Sequence, residues 1–310
     1  MKYTLPQVSI IILNWNGSQD TMECLKSLNN VTYRNIEIIV VDNGSKEAEL
    51  RLLEDFLKGK DVTFIKNKTN LGFTGGNNVG IKKALSNKAD FILILNNDTM
   101  VSPGFIEPLL SVFNKSENAG IVAPQINYYN NKKLIWSAGG KIDKMRGSGF
   151  AISDQYEREN NKIEKSVGFV SGCCMLVKRE VFEVIGIFDE NYFAYVEDTD
   201  LCYRTIQDGF KIFVAGNSKI YHKVSRSTIK NLTQLPLYYV TRNRLYFAGK
   251  NLNYLNYLVV RLYLIVTMFF KTLLWSVSGK RLNISTVIKA FSDFDNDKMN
   301  KTDHNKFRVV

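Results

Sequence analysis

Two rhythms of apolar and polar positions alternate along the first hundred residues. Residues 8–13 (VSIIIL) are a β-branched run with no polar alternation, the pattern of a strand buried on both faces of a parallel sheet. Asn14-Trp15-Asn16-Gly17 ends it, and a helix follows over 18–28 with Met22, Leu25 and Leu28 on one side. The cycle repeats with a strand over 36–41 (IEIIVV), a helix over 47–57 and a short strand over 62–65. The glycine-rich residues 70–80 (NLGFTGGNNVG) read as a turn leading into a helix near 79–86, and 91–95 (FILIL) as a fourth strand. This alternation predicts a doubly wound α/β sheet with right-handed crossovers.

The rhythm loosens after Asp98. A helix is expected near 103–113 and a strand at 121–124. Residues 127–166 are polar and read as an irregular excursion over whatever site the strand ends form. A strand over 169–177 then leads to a short helix, 179–184, ended by Gly186. An aromatic-rich loop over 188–195 runs into Glu197-Asp198-x-Asp200, which opens a helix over about 198–207 that Gly209 stops. Short strands at 211–214 and 220–222 close the α/β part.

The pattern changes again near residue 225. Leu255, Leu258, Leu262, Ile265, Val266, Phe269, Phe270, Leu273 and Val277 recur at helical spacing, with Asn256, Arg261 and Lys271 on the other side. The uncharged apolar run 262–270 is shorter than the roughly 18 apolar residues that span a bilayer. The helix is therefore expected either to pack on the rest of the chain or to lie in a membrane surface. Residues after Asp293 are polar and expected to fray. The division expected is a first domain over 1–225 and a helical, basic, amphipathic region over 226–310.

Charge sharpens that division. Residues 1–200 carry 23 Lys and Arg against 25 Asp and Glu, whereas residues 201–310 carry 18 against 5, so the whole excess of +11 lies in the last third. A basic tail of this kind suits anionic lipid, phosphorylated substrates or nucleic acid, but no nucleic-acid motif accompanies it. The N-terminus lacks the pattern of a signal peptide. Cys24, Cys173, Cys174 and Cys202 form no C-x-x-C pair and read as reduced cytosolic thiols.

The candidate chemistry sits at strand ends. In open α/β sheets ligands bind beyond the carboxyl ends of the strands. Residues 14–17, 42–45 and 96–98 all fall there, which points to a nucleotide-type site. The glycine-rich segment is neither a Walker loop nor G-x-G-x-x-G, and alone it says little. Asp98 is a hard oxygen ligand suited to Mg²⁺ or Mn²⁺, and His222 is a second metal-ligand candidate; taken alone, a helix cap and a surface or packed imidazole are the commoner explanations. One acid in a first helical turn needs no explanation beyond the helix dipole. Three in four residues behind an aromatic loop suggest a carboxylate base at the lip of a pocket.

Together the pieces SIIILNWNG, VVDNGS, NLGFTGGNN, LNNDT, WSAGG, GFVSGCCMLVKR, FAYVEDTDLCYR, the His of IYH and YYVTRNR resemble the family 2 inverting glycosyltransferases, most closely their rhamnosyltransferase-like branch, over residues 6–247. The resemblance implies a GT-A fold, a Rossmann-like mixed sheet, here with a helical C-terminal extension. It implies that Asn14 and Asn16 lie against the nucleoside, that Asp42 bonds the base, and that Gly72, Asn77 and Asn97 help hold the donor. It implies Asp98 and His222 as ligands of a divalent cation, Mn²⁺ or Mg²⁺. It also implies Asp198 as catalytic base, with Glu197 as the second candidate. Trp136 and Tyr195 are the expected acceptor contacts, and Asp200 is expected to serve the helix. At the family's D-x-D position this chain reads Asn96-Asn97-Asp98, so the first acid is replaced. The Q-x-x-R-W motif of processive synthases is missing, which suggests limited sugar addition.

The implied reaction takes a sugar, rhamnose from dTDP-rhamnose or a related UDP-sugar, to a glycan acceptor on a polyprenyl diphosphate. That places the protein in bacterial surface polysaccharide synthesis, cytoplasmic and peripheral on the inner face of the cell membrane. The helical third is equally suited to a dimer face, and no nucleic-acid partner is expected. The alternative is a non-catalytic nucleotide-sugar-binding subunit, against which the intact Asp98, Asp198 and His222 speak.

Overall fold

A computed structural model describes residues 5–153, 155–157, 164–224, 234–278 and 281–303. Its first strands are β1 (Val8–Asn14), β2 (Ile36–Asp42), β3 (Thr63–Lys66) and β4 (Phe91–Asn96), parallel and in the order β3-β2-β1-β4. Between them run α1 (Ser18–Leu28), α2 (Glu47–Leu57) and α3 (Gly72–Ser86). Ile10, Ile12, Val40, Leu93 and Leu95 share one core with Leu25 of α1 and Leu53 of α2, while Ile11, Ile39, Val41, Ile92 and Ile94 share the other with Ile81 and Ala84 of α3. Both faces are covered, which is why these strands read as unbroken apolar runs.

The glycine-rich segment is not a turn: α3 begins at Gly72, seven residues before the expected start. A Cβ on Gly76 would lie 2.4 Å from Leu13 Cδ1, and one on Gly80 would lie 2.5 Å from Ile11 Cγ2. Spaced four apart, these glycines form the face that seats the helix directly on β1. Close packing here overrides their poor helix propensity.

Next come β5 (Thr99–Val101), α4 (Ile106–Lys115) and β6 (Ala119–Tyr128). The segment expected to be irregular carries short strands instead: β7 (Leu134–Ser137), β8 (Gly140–Asp143), β9 (Ser148–Ala151), β10 (Gln155–Tyr156) and β11 (Glu164–Val167). The β8–β9 hairpin stands apart from the main sheet as a two-stranded ribbon. The stretch expected as one strand over 169–177 is regular only at β12 (Cys174–Lys178), which enters the sheet antiparallel between β4 and β6. After α5 (Arg179–Ile185), a 3₁₀ turn (Glu190–Tyr192) and α6 (Glu197–Gln207), the two last expected strands form a single β13 (Lys211–His222), parallel to β6 with an irregular register between Ala215 and Lys219. The result is the expected mixed α/β sheet, with eleven strands among the described residues.

Three helices follow: α7 (Gln234–Asn251), α8 (Tyr254–Val277) and α9 (Arg281–Asp295). Leu245 and Ala248 of α7, Val260, Leu264 and Met268 of α8, and Val287 of α9 bury one another. The expected boundary near 225 lies outside the described residues. Two expectations for this region fail. By length and composition α8 is long and apolar enough to cross a membrane. Reading only the uncharged run 262–270 missed this, because Arg261 and Lys271 interrupt the apolar sequence without ending the helix. The polar end does not simply fray: Arg242 donates to the Asn300 carbonyl at 2.8 Å, and the Thr302 amide donates to the Tyr239 hydroxyl at 3.1 Å.

Candidate active site

The carboxyl ends of β1, β2 and β4 lie side by side, with Asn14 opposite Asp42 and Leu13 opposite Asn96. Asn14 is fully buried and ties this end together. It donates to Asp42 Oδ1 at 2.8 Å and to Ser45 Oγ at 3.2 Å, and accepts from the Thr21 hydroxyl at 2.8 Å. Asp42 Oδ2 accepts from the Ser45 amide at 3.1 Å. Asn16 sits at φ 51°, exposed at the mouth; its amide bonds Ser45 and its Oδ1 accepts from the Lys46 amide at 2.8 Å. Asn97 turns toward the start of α1, donating to Thr21 Oγ1 at 3.0 Å. Asn77 is buried and donates to the Phe73 carbonyl at 2.9 Å. Of the expected donor residues, then, Asn14, Asp42, Asn77 and Asn97 are held in place by hydrogen bonds within the fold, and Asn16 lies at the surface. Ser45, within the strand-end segment 42–45, joins the network, and so does Thr21, a hydroxyl in the first turn of α1 that was not expected there.

Behind β4, Asp98 Oδ1 lies 3.0 Å from His222 Nε2, both residues less than a tenth exposed. The pair forms because β5 and the end of β13 are adjacent, His222 opposite Thr99. Trp136 meets the imidazole edge-on, ring centroids 4.5 Å apart. His222 Nδ1 is buried with no hydrogen-bond partner. Burial disfavours a charged imidazole, but neighbouring Cys173 and Asp98 outweigh it and raise His222 to about 10. The contact as it stands is a hydrogen-bonded ion pair; a carboxylate oxygen and an imidazole are donor types that Mn²⁺ or Mg²⁺ accepts, but no group of three or more His, Cys, Asp or Glu gathers for a metal among the described residues.

Asp198 stands in the first turn of α6, half-buried. Its Oδ2 accepts from the Gly172 amide at 3.1 Å and its Oδ1 from the Thr199 amide at 2.7 Å. Burial pushes its carboxyl above the ordinary range, against those hydrogen bonds, which favour the ionised form. Glu197 is buried, with Oε2 unpartnered, and its carboxyl is driven well up by burial and then by the Asp198 charge. Asp200 has the structural place expected of it, accepting from Tyr192, Arg204 and Asn251 at 3.1, 2.7 and 2.8 Å.

The two halves are joined by one short piece of chain. Gly172 bonds Asp198, while the next residue, Cys173, accepts from the Asn96 amide at 2.8 Å and sets its thiol beside His222. Above this strip lies a cleft of about 450 Å³, lined by Tyr128, Trp136, Gly149, Phe150, Phe169 and Ser171. Trp136 connects it to His222. Gly149, whose amide donates to Thr199 Oγ1 at 3.0 Å, connects it to the Asp198 turn. The β8–β9 hairpin is thus a wall of the cleft, built from a segment whose sequence suggested no structure.

The loop before Asp198 is strained. Phe193, Tyr195 and Val196 have φ of 60°, 71° and 74°. Non-glycine residues at such angles cost about 1–3 kcal/mol each and persist only when their surroundings hold them. Gly72 is part of that hold: at its own φ of +77°, a Cβ would sit 2.4 Å from the Phe193 carbonyl oxygen, so only glycine lets α3 reach the loop. Asn243, fully buried, donates to the carbonyls of Tyr192, Ala194 and Tyr195 at 2.9, 2.8 and 2.8 Å. Arg242 donates to the carbonyls of Asn191 and Tyr192 at 3.3 and 3.4 Å. Neither residue was expected to act, although two polar side chains inside an otherwise aromatic helix were visible in YYVTRNR. Asn243→Ala is expected to lower stability by about 1–3 kcal/mol through unpaired carbonyls. It should slow turnover by about 10²-fold through misplacement of Asp198, with nucleotide affinity unchanged. Urea unfolding, single-turnover kinetics and calorimetry check this together; unchanged turnover would remove the clamp from the argument.

Comparison with known proteins bears on the family and the fold. A family model for glycosyl transferase family 2 matches residues 9–186. The low-salt glycan biosynthesis hexosyltransferase Agl10 of Haloferax volcanii is 29% identical over 67% of this chain and 64% of its own length. The N-acetylglucosaminyl-diphospho-decaprenol L-rhamnosyltransferase of Mycobacterium tuberculosis is 27% identical over 71% of this chain and 76% of its own. Among solved structures, GalNAc-T7 with UDP, GalNAc and Mn²⁺ superposes with a TM-score of 0.59 at 20% identity, covering 71% of this chain and 44% of that one.

Proposed function

The chain belongs to glycosyl transferase family 2, and from that membership we propose an inverting, metal-dependent transfer of a sugar, rhamnose from dTDP-rhamnose, to a hydroxyl of a glycan carried on a polyprenyl diphosphate. The observation that carries this reading is the strip Gly172–Cys173, which bonds the Asp198 carboxylate on one side and lies beside the Asp98–His222 pair on the other. An acceptor-side base and a diphosphate-side cation site are what a single displacement needs. The rhamnosyltransferase relative, by its name, acts on a decaprenyl-diphosphate acceptor, and the GalNAc-T7 structure holds UDP and Mn²⁺. Both support the class of donor and acceptor.

In this reading Asp98 and His222 hold the cation. When bound, the cation neutralises the diphosphate and stabilises the charge of the leaving group. Asp198 takes the proton of the acceptor hydroxyl as that oxygen bonds to the anomeric carbon, and the bond to the diphosphate oxygen breaks with its electron pair on the far side. The configuration inverts in one step. Asn14, Asp42 and Ser45 fix the floor under the nucleoside, with Asn16 at its lip. Trp136 and Tyr195 flank the acceptor, Trp136 offering an aromatic face to a sugar ring. Glu197, whose carboxyl burial and the Asp198 charge push well up, stands beside the base as its neighbour in the first turn of α6. The reaction takes place at the inner face of the cell membrane.

Release of nucleoside diphosphate from a panel of dTDP- and UDP-sugars, with Mn²⁺, with Mg²⁺ and with EDTA, tests the reading. One dTDP-sugar is expected to turn over slowly without acceptor, and only with metal. A UDP-sugar in its place would correct the donor. Neither turnover nor calorimetric binding of any nucleotide sugar would favour a non-catalytic subunit.

A further inference from the structure

One face of α8 is covered and the opposite face is not. Val260, Leu264 and Met268 are buried against α7 and α9. On the other side Leu255, Leu262, Phe269, Phe270, Leu274 and Val277 are each more than half exposed. An ordinary surface helix turns polar residues outward. This one leaves an apolar stripe along about 36 Å of helix, more than a soluble monomer normally shows water.

We propose that this stripe docks on an anionic lipid bilayer, with α8 lying along the surface and its exposed face among the acyl chains. Charge selects the occupant. Residues 209–292 contain thirteen Lys and Arg and no Asp or Glu; Lys219, Lys223 and Lys250 pair with acids outside that stretch and Arg242 is buried, whereas Lys271 is exposed on α8 itself and Lys280 and Arg281 follow it in the chain. The acids that follow are engaged, Asp293 with Lys289 at 2.5 Å and Asp295 with Arg261 at 2.7 Å. Such a region is attracted to anionic headgroups, whereas a second copy of the same face would bring like charges together. Packing selects the orientation. Arg261 forks onto Asp295 of α9 with bonds of 2.7 and 3.0 Å, and α8 shares its buried side with both neighbouring helices. A spanning helix would carry that ion pair and the polar residues of α9 into hydrocarbon. A helix lying flat submerges only the stripe.

The docked helix also supports the cleft. Arg244 of α7 donates to the Arg146 carbonyl at 2.5 Å in the β8–β9 turn, and the Arg146 guanidinium lies 6.0 Å from the Tyr263 ring centre of α8. In the same turn, a Cβ at Gly147 would come within 2.9 Å of Val260 Cγ1. The other end of this hairpin is the cleft wall at Gly149 and Phe150. Docking therefore sets the acceptor cleft at headgroup level. That last consequence rests on the transfer reading; docking itself does not.

Flotation of the full chain with phosphatidylcholine vesicles, with or without phosphatidylglycerol, tests docking in the absence of any sugar. The wild type is expected to float with the anionic vesicles, to lose at least about tenfold in affinity in high salt, and to be removed by alkaline carbonate. Two variants, Leu262→Glu/Phe269→Glu and Leu274→Glu, are expected to stay in the soluble fraction while melting like the wild type and hydrolysing donor sugar at its rate. The variants' unchanged hydrolysis separates this result from any failure of the transfer reading. The proposal falls if the wild type does not float, if both variants float as it does, if carbonate leaves it in the membrane as a spanning protein, or if light scattering shows a dimer that the variants dissolve.

Discussion

Asp198→Asn is expected to keep nucleotide affinity and to lower transfer by about 10²–10⁴-fold, the usual worth of a general base. The amide has nearly the same shape and its oxygen can still accept from one of the two backbone donors, Gly172 or Thr199. What it lacks is a lone pair basic enough to take the acceptor proton. Calorimetry with the nucleoside diphosphate and a transfer assay separate the two effects; normal transfer would overturn the assignment. Glu197→Gln is the control. Burial pushes the Glu197 carboxyl toward its protonated form, which an amide resembles, so transfer should fall far less. The reverse ranking would move the base to Glu197. The pH profile carries a sign of its own. A folded-state pKa raised above the unfolded one gives stability that is present below the unfolded value and lost as pH rises through the folded value. The ionised form that works as base is therefore the less stable form. Activity should rise with pH through the elevated Asp198 pKa, placing the acid limb of kcat/KM above the ordinary carboxylate range.

Asp98→Asn is expected to lower transfer by roughly two orders of magnitude or more and to abolish stimulation by Mn²⁺, because the anionic ligand that offsets the cation's charge is gone. His222→Ala should cost less alone. The two should not add in the double variant, since both serve one ion across 3.0 Å. Mn²⁺ titrations in the presence of the nucleoside diphosphate, followed by fluorescence of the adjacent Trp136, read the site without turnover. Full activity of the wild type in EDTA, or of Asp98→Asn with metal, would remove the cation from the mechanism.

Some of this was readable in the chain and some was not, for physical reasons. The parallel strands were plain because both their faces are buried, so Ile10, Ile11 and Ile12 needed no polar alternation. The α3 helix was hidden because Gly76 and Gly80 look like turn residues until Leu13 and Ile11 are in place beneath them. The β8–β9 hairpin was hidden because four-residue strands on a free-standing ribbon carry too little pattern to rise above a polar loop. Asp98 and His222 were picked as individuals, 124 positions apart, and the sheet joins them. Beside the donor contacts expected of them, Asn14 and Gly72 have structural places the sequence did not show: every polar atom of the Asn14 side chain is bonded within the fold, and Gly72 is packed on Phe193. The clamp was unreadable because hydrogen bonds from Asn243 go to backbone carbonyls, which leave no mark in a sequence.

That clamp bears on how the protein can be divided and recombined. The loop ahead of the base is left-handed at three residues that would each relax if released, and the side chain holding it comes from beyond residue 234. The α/β part is thus not a self-sufficient catalyst to which helices were appended. In a chimera that exchanges C-terminal helices between relatives, the donor half should assemble as before, but the acceptor half is only as good as the match between the imported helix and the resident loop. On the readings proposed above, substrate range and membrane attachment would be inherited together rather than as separable modules.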